Sequence, residues 1–186
     1  MKIHLYTQFY NERAMAPFFY LHYKDFIDRF FLFDDQSNDG GDDLLRSFDR
    51  VNVEAFAYSD PDSYILSCQL FNNNIWKRSR GKADWVILAN MDEHIFLPDV
   101  YNFLKKSLDQ GVSILETIGY QMLSRVEPVN SAPLFKQIKR GARFNQMDKC
   151  IIFNPNKIKD IGFKPGRHNC RPSGDVVFGE KKIKLL

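Results

Sequence analysis

A chain of 186 residues makes one domain, long enough to bury a sizeable core. Its hydrophobic and charged fractions, 44% and 26%, exclude global disorder, and a net charge of +3 is too small to argue for nucleic acid. The 17 Phe and 8 Tyr are expected mainly in the core, with a few free to stack on a flat ligand. Cys68, Cys150 and Cys170 are odd in number and lack zinc spacing, and no leader or apolar span is visible. Reduced thiols in a cytoplasmic protein are therefore expected.

Residues 2–9 alternate loosely and are rich in β formers, so a first strand is expected there. Asn11 is placed to cap a helix over 12–28, with apolar residues at helical spacing and Pro17 in its early turns. A second strand follows at 29–33, then a polar turn from Asp34 to Gly41 and a short helix over 42–48. A strand at 51–56 and a helix over 63–80 come next. The run Trp85-Val86-Ile87-Leu88-Ala89 has no room for a helix and reads as a strand buried on both faces. It ends abruptly in Asn90, Asp92, Glu93 and His94. Beyond it a helix over 100–108 stops at Gly111, and strands are expected at 112–116, 120–124 and 149–153. The segment 127–147 is irregular and basic, 155–160 reads as a short helix, 162–174 as a Gly/Pro-rich loop, and late strands fall at 176–178 and from 183 onward.

Strands alternating with helices through the first 116 residues predict a three-layer α/β/α sandwich with a mostly parallel central sheet, in one domain over 1–186. The turns after the first, second and fourth strands then line one edge, gathering Asn11, Glu12, Asp34, Asp35, Asp92 and Glu93. That edge is where open α/β sheets bind ligands. Crowded carboxylates repel unless a cation lies between them, so a hard divalent metal on a diphosphate is a coherent occupant. Lys149, opening a short apolar strand, is a candidate cationic partner, and His168 in the Gly/Pro-rich loop a candidate third metal ligand. His4, His22 and His94 read as structural.

Phe9-Tyr10-Asn11-Glu12, then Phe31-Leu32-Phe33-Asp34-Asp35-Gln36-Ser37-Asn38-Asp39-Gly40, then Asp84 to Glu93, resemble the family 2-like glycosyltransferases of GT-A fold. Tyr120-Gln121-Met122, Asp148-Lys149, Phe153-Asn154-Pro155 and the Pro165-Gly166-x-His168 loop look like a bacterial branch of that group. The resemblance implies transfer of a sugar, with inversion, from a nucleotide-sugar, a UDP-sugar foremost, to a hydroxyl of a saccharide or glycoconjugate. An acceptor held at a membrane would bring the protein to that surface peripherally. Phe9, Asn11, Glu12, Asp34, Asp35, Asn90 and Lys149 would surround the nucleotide. Asp92, Glu93 and His168 would hold Mn2+ or Mg2+. Asn90 stands where the pattern has its first metal-binding acid, and no acid follows the Ile161-Gly162-Phe163 turn. Asp148 and Glu116 are the fallback catalytic bases. Relatives continue past Leu186, so a truncated or minimal domain is expected. Two other readings stay open: a nucleotide-sugar-binding module without turnover, and a nucleotidyltransferase, which the glycine-free Tyr10-Asn11-Glu12-Arg13 turn disfavours.

Overall fold

The computed structural model describes residues 1–186. In chain order the strands are Ile3–Phe9 (β1), Arg29–Asp34 (β2), Val51–Ala55 (β3), Trp85–Leu88 (β4), Ile95–Phe96 (β5), Ile114–Leu115 (β6), Thr117–Leu123 (β7), Arg140–Arg143 (β8), Ile152–Phe153 (β9), Ile158–Asp160 (β10), Ser173–Gly174 (β11) and Ile183–Leu185 (β12). The helices are Ala16–Tyr23 (α1), Gly41–Arg46 (α2), Tyr64–Asn74 (α3), Val100–Asp109 (α4) and Leu134–Gln137 (α5). The central sheet has the order β3-β2-β1-β4-β9-β6. Strands β1 to β4 run parallel, and β9 lies antiparallel between β4 and β6.

Side-chain alternation along the strands sorts the layers. Leu5, Phe30 and Ile87 share one face by register, and Phe30 packs there on Phe19 and Tyr20 of α1. Trp85 lies on the same face and donates its ring N–H to the Leu104 carbonyl of α4 at 3.2 Å. On the opposite face Phe33 meets Phe71 of α3, while His4 and Tyr6 bond the Ser79 hydroxyl at 2.7 and 2.6 Å. Helices thus cover both faces, and the three-layer expectation holds. Every residue of β4 is buried, as a strand enclosed by both layers must be. Each fully buried Ile or Leu of this core contributes about 1.5–3 kcal/mol.

The helix expected over 12–28 is shorter, because Asp28 is drawn back to β1, its carboxylate accepting from Ile3 N at 2.7 Å. Asn11 caps nothing in that helix: it takes a left-handed backbone (φ 52°) and its side chain accepts from Asn38 N at 2.8 Å. The helix over 63–80 starts as expected, with Ser63 accepting from Leu66 N, then tightens into a 3₁₀ turn at Ile75–Ser79 that buries Trp76 and Ser79. The helix expected over 155–160 is instead a turn leading into β10. Asn154 accepts from Asn156 N at 2.9 Å, and Ile158 is buried against β11.

A second sheet, β5-β12-β7-β8, was not foreseen. It begins where the Asp92-Glu93-His94 turn ends. β12 pairs with β5, and Leu186 exchanges two backbone hydrogen bonds with His94. Leu186 thereby fixes the turn beyond β4. No helix is long and apolar enough to cross a membrane.

Candidate functional site

The crossovers from β1 through β3 run over one face of the sheet, whereas the return to β4 carries α3 over the other. The switch point is therefore between β1 and β4, and a crevice opens at their carboxyl ends. The crevice is a cleft of about 480 Å³. Phe9, Tyr10 and Glu12 come from the end of β1, Asn90, Met91 and Asp92 from the end of β4, and Tyr64, Ile65 and Cys68 from α3. Lys164, Gly166 and Arg167 close it from the late loop.

Arg167 was not singled out from sequence, and it organises this cleft. Its guanidinium donates to the Leu88 carbonyl at 2.7 Å, to the Asn90 side-chain oxygen, and to Glu93 at 3.2 Å. The residue is buried yet left-handed (φ 61°), next to Gly166 at φ 74°. A non-glycine residue there costs energy that its side-chain contacts must offset. The loop is anchored by buried Phe163, whose backbone bonds Asn73 and Gln69 of α3. The sequence signal was present: an arginine flanked by Gly and Pro after an apolar anchor.

Glu93 is buried between two cations. Lys149 donates to one carboxylate oxygen, while Arg167 and the Asn90 backbone N–H, at 3.2 and 2.9 Å, reach the other. Burial opposes its charge, but Arg167 and Lys149 outweigh burial and hold the carboxyl below the usual range. Both oxygens expected for a metal are thus committed to protein donors. Lys149 is sequestered on Glu93, does not line the cleft, and is supported from Thr117 Oγ1 at 3.1 Å. One carboxylate against two cations leaves this group one positive charge in excess, and Arg167 presents it to the cleft.

Asp92 faces open space. Partial burial in the wall, then the charge of Glu93, lifts its carboxyl. Glu12 across the cleft is raised by burial and then by Asp92. His168 is exposed and does not line the cleft, and no three of the His, Cys, Asp and Glu side chains assemble as a metal cage. Asp92 and Glu12 are the carboxylates open to the cleft, the donor type a hard divalent cation takes.

The neighbouring rim is built differently. Asp34 accepts from Ser37 N at 3.0 Å, Ser37 accepts from Asn11 N at 2.9 Å, and Asp39 accepts from Arg13 N and Gly41 N at 2.9 and 2.8 Å. These residues stitch the turn after β2 to the turn after β1. Gly41 passes so close that an added Cβ would lie 3.0 Å from the Arg13 backbone nitrogen. Asp35 is the exception: buried, with Oδ1 lacking any partner. Its carboxylate, beside the Tyr58 hydroxyl, raises that phenol. Tyr58 packs on Tyr64, which lines the cleft. Asp148 accepts from Gly119 N at 2.8 Å and from Arg143, and Glu116 pairs with Lys182 at 2.9 Å; neither lines the cleft.

No family model and no curated protein matches the sequence. Solved structures do. S. aureus TarS superposes with a TM-score of 0.51 at 12% identity, over 83% of this chain and 28% of that one. TarS 1-349 in complex with UDP-GlcNAc gives 0.51 at 11% identity, over 83% of this chain and 46% of that one. The fold is the GT-A type. At this identity the likeness is one of fold. The chain spans less than half the length of the TarS chains it matches.

Proposed function

We propose that the protein binds a nucleoside-diphosphate sugar, a UDP-sugar foremost, and transfers its sugar to a hydroxyl of a saccharide or glycoconjugate acceptor. The observation that carries this reading is the cleft at the β1/β4 switch point, where Arg167 brings excess positive charge beside the open carboxylates of Asp92 and Glu12. TarS, whose structures include complexes with UDP and UDP-GlcNAc, shares the fold and so supports the choice of donor.

In this reading Asp35 and Asn11 lie on the base and ribose side, Asp35 behind the cleft wall, where it bears on the nucleotide through Tyr58 and the cleft-lining Tyr64. Arg167 and Lys164 face the diphosphate. Asp92 and Glu12 would hold Mn2+ or Mg2+, which when bound neutralises charge on the departing diphosphate. The acceptor oxygen bonds to the anomeric carbon as the carbon–diphosphate oxygen bond breaks and its electron pair leaves with UDP. Inversion is the expected outcome, and the acceptor's proton passes to a base. Asp148 and Glu116 are tied to other donors, so we assign that proton to neither.

One second reading has an observation behind it. Arg167 occupies the Asn90 oxygen and Glu93, leaving fewer free acids than the GT-A pattern provides, which favours donor binding without turnover. Titration with UDP and UDP-GlcNAc, with Mn2+ or EDTA, followed by melting temperature and by release of UDP, tests both. A ligand selective for the native state must raise the melting temperature. Stabilisation with metal-dependent UDP release is the expected result. Stabilisation without release across varied acceptors supports the binding module, and no stabilisation by any nucleotide-sugar overturns both.

A further inference from the structure

Beyond Asp92 lies a second cavity, of about 370 Å³. Asp92 is the one residue that lines both this cavity and the donor cleft. The two spaces are chemically opposite. Nine of the thirteen residues around the second are hydrophobic, and Asp92 is its one charged side chain. Met15, Met122 and Met147 supply flexible, polarisable walls, Phe135 comes from α5, and Ile138 directly follows it. His94, its polar neighbour, bonds the Met91 carbonyl through Nε2 at 3.1 Å and stacks on His22.

A bare sugar carries a hydroxyl on almost every carbon, and this wall offers few partners for them. A hydrocarbon is suited to it: each methylene buried tightens binding by about fourfold. A largely apolar hollow of this size, with a few convergent polar groups at one end, is the usual form of a small-molecule site.

We infer that this cavity holds the apolar body of the acceptor, an aryl or alkyl aglycone, and that Asp92 marks where the acceptor's hydroxyl enters the donor cleft. The inference rests on the glycosyl-transfer reading and names the acceptor class that reading leaves open. The chain from 127 to 147, irregular in sequence, then has a purpose: it walls the acceptor side.

The test compares octyl β-glucoside, below its micelle concentration, with methyl β-glucoside by calorimetric titration of the full chain, with and without UDP. The octyl compound is expected to bind at least tenfold tighter. Ile138→Trp, which fills the cavity, and Ile138→Gln, which makes it polar, each remove that advantage, while Phe178→Ser on the far surface does not. The melting temperature of each variant, measured on the same samples, reports folding. Equal affinity for the two glucosides overturns the inference, as does an octyl preference that survives both Ile138 substitutions. If UDP fails to bind while the Ile138-sensitive octyl preference remains, the donor reading falls and the cavity stands as an apolar-ligand site.

Discussion

Asp34-Asp35 and Asp92-Glu93 each follow a buried strand of one sheet, and in each pair one acid is consumed by the protein while its neighbour keeps an unpaired oxygen. The means differ. Asp34 is satisfied by the backbone N–H of Ser37 in a half-exposed turn, where water competes for the same bond. Glu93 is satisfied by two side-chain cations in the interior. A backbone-bonded loop acid fixes local shape, whereas a buried triad ties together elements remote in sequence: β4, the segment before β9 and the late loop. The second pair should therefore matter far more to folding, and the two should contribute to ligand binding through Asp35 and Asp92 respectively.

The sharpest attack on this contrast is Glu93→Gln. It leaves Lys149 and Arg167 buried without a counter-charge, which typically costs about 3–5 kcal/mol. Urea unfolding measures it. A loss below about 1 kcal/mol would mean that the triad is not the tie described here.

Acid provides the next largest effect. His22 and His94 stack beside the triad at 4.6 Å, with burial lowering His22 from 6.5 to about 4 and burial, then His22, lowering His94 to about 3. The unfolded chain binds these protons near pH 6.5 and the folded one does not. Stability is thus full above that pH and falls as pH drops from 6.5 toward 4, by an amount on the order of a few kcal/mol. Glu93, depressed in the folded state, adds a further loss below its ordinary 4.5. Unfolding midpoints between pH 7 and 4 should decline steadily, and His22→Gln should flatten the upper part of that decline. An unchanged slope would show that the pair is not held neutral.

Much of this was legible before any coordinates. The apolar run of β4 and the acids after it located the sheet edge, because burial on two faces leaves no room for alternation. The roles inside the pairs were not legible, since Asp34 and Asp35 look alike until backbone donors are placed around them. Glu93 read as a metal ligand because Arg167 is 74 residues away in sequence, and the Gly/Pro-rich loop around it announces a turn but not where its side chain goes. The second sheet was hidden for the same reason: two-residue strands such as β5 exist through pairing partners, here β12, and not through their own pattern.

Smaller effects separate the two members of the first pair. Asp35→Asn replaces an unpartnered buried oxygen next to the Tyr58–Tyr64 pair with an amide, leaving the fold almost unaffected. Loss of the Asp35 charge beside Tyr58, which packs on the cleft-lining Tyr64, is expected to weaken UDP binding by up to about tenfold, the worth of one hydrogen bond. Calorimetry on the variant reads this directly. An unchanged affinity would remove Asp35 from the donor site.

Asp34→Ala should do the reverse. It deletes the acceptor for Ser37 N, and Ser37 in turn supports Asn11 N, so the turn after β2 loosens against the turn after β1. The cost is about 0.5–1.5 kcal/mol, because the freed N–H lies close enough to water to be rehydrated. UDP affinity should fall by less than about threefold, since Asp34 acts on Asn11 through Ser37 and not on the cleft itself. Should Asp34→Ala instead weaken UDP as much as Asp35→Asn while leaving stability untouched, the two aspartates would have to exchange the roles their hydrogen bonds assign them.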